Sequence, residues 1–210
     1  MKISITGATG FIGRHLVQKH LEMNDEIKIL TRREPEETGF GKNVQIYKAD
    51  LLDGPDALSA FVCGADILYH CAAGLKDVSL TYQANVEGTA NLIRAASGRI
   101  GHWVQLSSVG VYGMHASGVV TESTPADPHN YYERSKLESD RLVRNASAAD
   151  GFTFSILRPS IVFGRGMKNR SLFQLTEMVD RGLFFFAGPP GASANYIPVE
   201  NVVNALILCA

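Results

Sequence analysis

Short apolar runs and longer amphipathic ones alternate along most of the chain. Residues Lys2–Thr6 alternate as a strand and end on glycines, and Phe11–Glu22 places Ile12, Leu16, Val17 and Leu21 at helical spacing. Further strands are predicted over 26–30, Val44–Lys48, 67–71, 102–106 and Thr153–Leu157. Helices are predicted over 57–62, behind the start signal Asp53-Gly54-Pro55, and over 78–96, 131–148 and 200–209. Strands that alternate with helices imply a parallel sheet with right-handed crossovers and helices on both faces. The fold class expected is therefore α/β, a Rossmann-type doubly wound parallel sheet. Beyond Pro159 the regularity weakens and Gly and Pro gather around 188–191. The division expected is a parallel-sheet unit over 1–158 and a small, partial lobe over 159–210, interleaved with the last elements of the sheet unit. An apolar helix at the end of the chain favours a truncated chain over a naturally short one.

Composition narrows the functional classes. The 210 residues are 45% hydrophobic with a net charge of −1, so a buried core is expected and a basic face for nucleic acid is not. Three cysteines without a CxxC spacing, and six histidines without ligand spacing, predict no disulfide framework and no metal site. Cys63 and Cys71 lie in apolar surroundings and are expected to be buried. Met1 leads directly into a strand and no apolar stretch is long enough to span a bilayer, so a cytoplasmic protein without a membrane partner is expected.

The segment Thr6-Gly7-Ala8-Thr9-Gly10-Phe11-Ile12-Gly13 links the first strand to the first helix. Free N–H groups and the positive end of the helix dipole suit a pyrophosphate there. Gly7 permits the tight turn, Gly10 lets the backbone approach the phosphates, and Gly13 lets the helix pack on the sheet. The spacing is GxxGxxG, and in this form the loop resembles that of the extended short-chain dehydrogenase/reductase family, the NAD-dependent epimerase/dehydratase group. The likeness continues over nearly the whole chain.

The general dinucleotide-binding pattern ends the second strand on an acid that binds the ribose hydroxyls. Thr31 holds that position here and is followed by Arg32 and Arg33, which would attract a 2′-phosphate. NADP is therefore expected over NAD. By resemblance, Asp50, followed by Leu51, contacts the adenine. Cys71, Ala72 and Ala73 form the small-residue segment under the cofactor, and Pro159 and Ile161 lie in the stretch that passes the nicotinamide ring.

Tyr132 and Lys136 lie four apart on one helix face, where an ammonium can lower the phenol from about 10 toward neutrality. Tyr131 has Ser135 at the same spacing, so the lysine selects Tyr132. The run Ser107-Ser108-Val109-Gly110-Val111-Tyr112-Gly113 resembles the family's serine segment, which makes Ser108 the catalytic serine and Ser107 the fallback. Asn85, in Asn85-Val86-Glu87-Gly88-Thr89, matches the family asparagine that orients the lysine and a water relay. Val109-Gly110 stands where sugar-nucleotide 4,6-dehydratases carry an acidic pair, which argues against that chemistry. Ile161 replaces an asparagine that contacts the diphosphate in many epimerases, and Pro198 replaces a common histidine.

The resemblance implies a Ser-Tyr-Lys oxidoreductase or epimerase that moves hydride at one carbinol or carbonyl carbon of a small molecule, a sugar nucleotide or another aldehyde or ketone. The alternative is a catalytically silent NAD(P)-binding sensor, which would need the glycine loop but not Ser108, Tyr132 and Lys136. A homodimer through the helices that carry Asn85 and Tyr132 is also implied. Phe184, Phe185 and Phe186 are expected in core or interlobe packing more than in a substrate pocket. Arg165 and Lys168 are either phosphate contacts or solvated loop charges.

Overall fold

A computed structural model describes residues 1–74, 78–113, 118–167, 169–185 and 194–210. Six strands form one parallel sheet: β1 (Lys2–Thr6), β2 (Glu26–Thr31), β3 (Val44–Lys48), β4 (Ala65–His70), β5 (Ile100–Leu106) and β6 (Thr153–Leu157). Their spatial order is β3-β2-β1-β4-β5-β6. The order reverses between β1 and β4, and the crevice beyond the carboxyl ends of these two strands is where doubly wound sheets bind ligands.

Two apolar layers sandwich the sheet. On one face Ile3, Ile5, Ile27, Ile29, Ile67 and Val104 pack against Leu16 and Val17 of α1 (Phe11–Glu22) and against Val199, Val202, Val203 and Leu206 of α8 (Val199–Leu208). On the other, Leu30, Leu68 and Trp103 meet Leu58, Phe61 and Val62 of α3 (Pro55–Val62), Leu92 and Ile93 of α5 (Gly88–Ala96), and Val143 of α6 (Tyr131–Asp150). Alternate strand residues thus reach opposite layers. The last helix is built into the same core as the first strand.

Several elements differ from expectation. A short helix, α2 (Pro35–Thr38), follows β2, and Pro at its start suits the missing N–H. The helix expected over 78–96 is three pieces: α4 (Val78–Tyr82), a π-helical turn Gln83–Glu87, and α5. Beyond β6 the chain is more regular than expected. A parallel pair, β7 (Ile161–Phe163) and β8 (Tyr196–Pro198), flanks α7 (Ser171–Asp180). No residue of α7 is buried, and Phe173, Met178 and Val179 face solvent. Phe184 and Phe185 are also exposed, against the core packing expected of them. Phe186, Lys168 and 188–191 lie outside the described residues. Cys63 is exposed rather than buried, since it caps α3 after the last inward residue, Val62. Among the described residues no helix is long and apolar enough to cross a membrane, and no three ligating side chains cluster.

Candidate active site

The glycine loop sits at the carboxyl end of β1, against the backbone that leaves β4. Gly7 adopts φ +69°, and a Cβ there would lie 2.6 Å from both the Cys71 carbonyl carbon and the Ala72 nitrogen. A Cβ on Gly13 would lie 2.8 Å from the Gly7 carbonyl carbon and closer still to its oxygen. Both positions therefore exclude a side chain on packing grounds alone. Gly10 is exposed and forms the start of α1 without a side-chain cap, and the first turn carries no acid. Ala8 is buried, whereas Thr9, Phe11 and Ile12 are partly exposed around this start. An uncapped helix start beside a backbone cradle is the arrangement that a pyrophosphate fits.

One hydrogen-bonded chain joins this loop to the π-helical turn. The Ala72 N–H donates to Thr6 Oγ1 at 3.2 Å, and Thr6 Oγ1 meets His70 Nδ1 at 2.7 Å. On the other side His70 Nε2 meets Thr89 Oγ1 at 3.0 Å, and Thr89 spends its own proton on the Asn85 carbonyl. Thr89 therefore accepts from His70 Nε2–H, and Nδ1 accepts from Thr6, which assigns the neutral tautomer. Burial holds His70 down at about 3. The unfolded chain takes up this proton near 6.5 and the folded one only near 3, so the stabilising contribution is present above pH 6.5 and lost as pH falls toward 3. Urea unfolding between pH 4 and 6 should show His70→Gln losing less stability on acidification than the native chain, by about 1.4 kcal/mol per pH unit. Equal slopes would contradict this assignment.

Asn85 lies inside the π-helical turn, where the Gly88 N–H donates to the Gln83 carbonyl five residues back. Such turns place a side chain where a regular helix would not. The Asn85 side chain is buried, accepts from the Gly74 N–H at 2.8 Å and donates to Ser135 Oγ at 2.9 Å. The backbone carbonyl of Asn85 also takes the Ser139 hydroxyl at 2.5 Å. Asn85 is thereby joined to α6 through Ser135, the neighbour of Lys136. Gly88 fits here because a Cβ would lie 2.9 Å from that of Leu51, which is buried.

Lys136 is buried, and its ammonium donates to the Leu106 carbonyl at the end of β5 at 2.5 Å. Burial lowers its pKa, opposed by the charges of Asp140 and Cys71. Burial pushes the Cys71 thiol up to about 12. The Tyr132 phenol is raised, by burial first and by the Asp140 carboxylate second. The expectation of a lowered phenol is thus corrected: desolvation outweighs an ammonium that is directed at a strand carbonyl.

The two serines after β5 separate cleanly. Ser107 is buried and donates to Asp140 Oδ2 at 2.9 Å. Ser108 accepts from the Gly110 N–H at 3.1 Å, which caps a tight turn over Val109–Tyr112 and leaves the hydroxyl proton to donate elsewhere. The Val109 N–H donates to the Pro159 carbonyl at 3.1 Å, so this turn and the strand-end loop after β6 are locked together. Gly110 packs against the Glu133 side chain, whose carboxylate caps the start of α6 through His129 and Asn130. Ile161 is exposed at the start of β7.

Other residues singled out in the sequence lie around the edge of this region. Thr31 is buried and accepts from the Arg33 N–H. The Arg32 side chain is 81% exposed and reaches Asp50 Oδ2 at 3.3 Å. Asp50 also caps the turn Leu51–Asp53, accepting from Leu52 N–H at 3.0 Å. Ala73 is exposed. Arg165 is exposed, and its carbonyl meets His15 Nε2 at 2.8 Å.

Sequence reasoning missed one group. Arg158 donates through Nε and Nη2 to Asp140 Oδ2, at 3.0 and 2.9 Å, and through Nη1 to the Tyr112 hydroxyl at 2.6 Å. An acid one turn beyond Lys136, on a helix face otherwise buried, was the available signal.

The model of the NAD dependent epimerase/dehydratase family matches residues 3–209. Among curated relatives, the 3beta-hydroxysteroid-dehydrogenase/decarboxylase isoform 1 of Arabidopsis thaliana is 30% identical, over 98% of this chain and 51% of its own length. The N-acetyl-alpha-D-glucosaminyl-diphospho-ditrans,octacis-undecaprenol 4-epimerase of Escherichia coli O157:H7 is 29% identical, over 96% of this chain and 60% of its own. The structure of MoeE5 in complex with UDP-glucose and NAD superposes with a TM-score of 0.77 at 28% identity, covering 100% of this chain and 72% of MoeE5. The chain thus spans 51% and 60% of the lengths of these two curated relatives.

Proposed function

The chain belongs to the NAD dependent epimerase/dehydratase family, and we propose that it is an NAD(P)-dependent oxidoreductase or epimerase acting at one carbinol or carbonyl carbon of a small substrate. The observation that carries this reading is the gathering of three groups at one end of the sheet. Lys136 is anchored to the end of β5, Ser108 follows two residues later with its proton uncommitted, and Tyr132 stands one helical turn before Lys136. In this reading the glycine loop with Gly7, Gly10 and Gly13 holds a nicotinamide dinucleotide, which supplies or accepts the hydride. The Tyr132 phenol gives its proton to the substrate oxygen as the carbonyl carbon is reduced, and Ser108 donates a hydrogen bond to the same oxygen. Lys136 keeps positive charge beneath the phenol, and Asn85 fixes the helix that carries both. A phenol raised by burial is protonated at neutral pH, the form that can donate to a substrate oxygen.

Substrate class follows the same residues. Val109 and Gly110 carry no proton-transferring side chain, which disfavours the acid–base steps of a 4,6-dehydratase. The substrate proposed is a sugar nucleotide or another aldehyde or ketone, as the names of the relatives span both. A homodimer belongs to the same reading; Leu80 and Tyr82 are exposed on α4, which packs beside α6. The test is deuterium transfer from NADPH labelled at C4 to a panel of carbonyl compounds. Label in a product carbinol supports the enzyme; cofactor binding without transfer to any member favours the sensor.

NADP is the proposed cofactor. Thr31 places no carboxylate against a 2′-phosphate, and the exposed Arg32 would exchange its surface pairing with Asp50 for one. Arg32→Ala should weaken NADPH binding by about tenfold or more and NADH binding far less, since one charge-assisted contact is lost. Equal effects on the two nucleotides would remove Arg32 from the preference.

A further inference from the structure

We propose that Asp140 is a positioning residue of the active site: a fixed, buried countercharge that holds Lys136 as an ammonium and clamps the ends of β5 and β6 to α6. Lys136 and Asp140 lie one helical turn apart and are 2% and 1% exposed. Two buried, oppositely charged groups one helical turn apart offset part of each other's desolvation through the low-dielectric interior, without a direct ion pair between them. Asp140 Oδ2 receives Ser107 Oγ, Arg158 Nε and Arg158 Nη2. Oδ1 is buried and has no hydrogen-bond partner among the described residues. The Ser107 contact fixes the residue before Ser108, and the Leu106 carbonyl one place earlier receives Lys136. Asp140 therefore touches both arms of the site without reaching the reacting atoms.

The groups that face Lys136 give the direction of the effect. Tyr132 and Asp140 flank it on α6, and His70 and Cys71 face it from β4 and the residue beyond. His70 is neutral and the thiol of Cys71 is pushed up to about 12. Burial raises Asp140 as well, opposed by the Ser107 hydrogen bond and the charges of Arg158 and Lys136, and its ion pair with Arg158 makes it the anion that opposes desolvation of the ammonium. Arg158 is already engaged by Asp140 and by Tyr112. Without the carboxylate, Lys136 and Arg158 become two cations in a buried region, and the lysine gives up its proton more readily. The Tyr132 phenol, which Asp140 also raises, falls with it.

This inference rests on the catalytic reading of Tyr132 and Lys136, but its test does not need a substrate. Protein labelled with carbon-13 at lysine Cε is titrated by NMR, with Lys136 assigned from its missing signal in Lys136→Met. In Asp140→Asn the Lys136 midpoint should fall by about one pH unit or more. Asp140→Glu should return it toward the native value. Ser107→Ala, which removes a clamp contact but no charge, should leave it in place. If Asp140→Asn does not fold, Asp140→Asn with Arg158→Gln removes both ends of the ion pair, and a smaller shift in the same downward direction is expected, because the second cation is gone as well. An unchanged midpoint, or an equal shift in Ser107→Ala, overturns the proposal. A shift in Asp140→Asn, with Tyr132→Phe still transferring hydride, keeps the proposed coupling and removes the catalytic reading. The reverse pair of results removes the coupling alone.

Discussion

Tyr132→Phe is expected to lower hydride transfer by about 10²- to 10⁴-fold while leaving nicotinamide binding within a few-fold of the native protein, because the change removes one proton donor and little volume. Tyr132 is half-buried, and its ring stays when the hydroxyl goes. Lys136 keeps its bond to the Leu106 carbonyl, and Ser108 keeps its cap to Gly110, so the rest of the site is undisturbed. Tyr131, the neighbouring phenol, is exposed and has no lysine one turn ahead, so it cannot substitute. Single-turnover rates measured with saturating nucleotide separate the proton step from binding. A variant that turns over like the native protein would exclude Tyr132 as the donor.

The second large effect is on the fold. Gly13→Ala should destabilise the protein by about 3 kcal/mol or more and abolish nucleotide binding with it. The added methyl would press on the Gly7 carbonyl, which is backbone and cannot rotate away. Relief requires moving α1 off the loop, yet Leu16 and Val17 hold that helix in the core. Gly151→Ala is the useful comparison: its φ is positive, at +75°, which that of Gly13 is not, and a Cβ there meets nothing within 4 Å. Its expected cost is the backbone strain alone, about 1–2 kcal/mol. Urea unfolding of the two variants distinguishes crowding from strain, and similar costs would contradict the packing argument.

The architecture was legible because each layer imposes its own period. Lys2–Thr6 and Phe11–Glu22 form as read, since one alternates on a sheet and the other presents Leu16 and Val17 to it. The glycine loop was legible for a different reason: Gly7 and Gly13 are required by close approach, and no other residue fits. The π-helical turn was not, because a five-residue hydrogen bond leaves no compositional period, although Gly88 against Leu51 marks the place. The choice between Ser107 and Ser108 rested on a motif, and the geometry that separates them comes from Asp140 beneath Ser107. That carboxylate escaped notice because its partner Arg158 lies on a neighbouring strand end, a proximity set by sheet order and not by spacing. The helix α7 was not foreseen, because regularity weakens beyond Pro159, and its Phe173 and Met178 face solvent and so leave no core-facing stripe. The phenol of Tyr132 was misjudged because spacing reveals a neighbouring charge but not the depth at which both groups lie.

The central claim is that the loop from Gly7 to Gly13 holds a nicotinamide dinucleotide. Fluorescence titration of the native chain with NADPH and with NADH tests it most directly. Saturable binding of one nucleotide to each chain, with NADPH the tighter, is the expected result. Binding of neither would contradict the claim, whatever the fold.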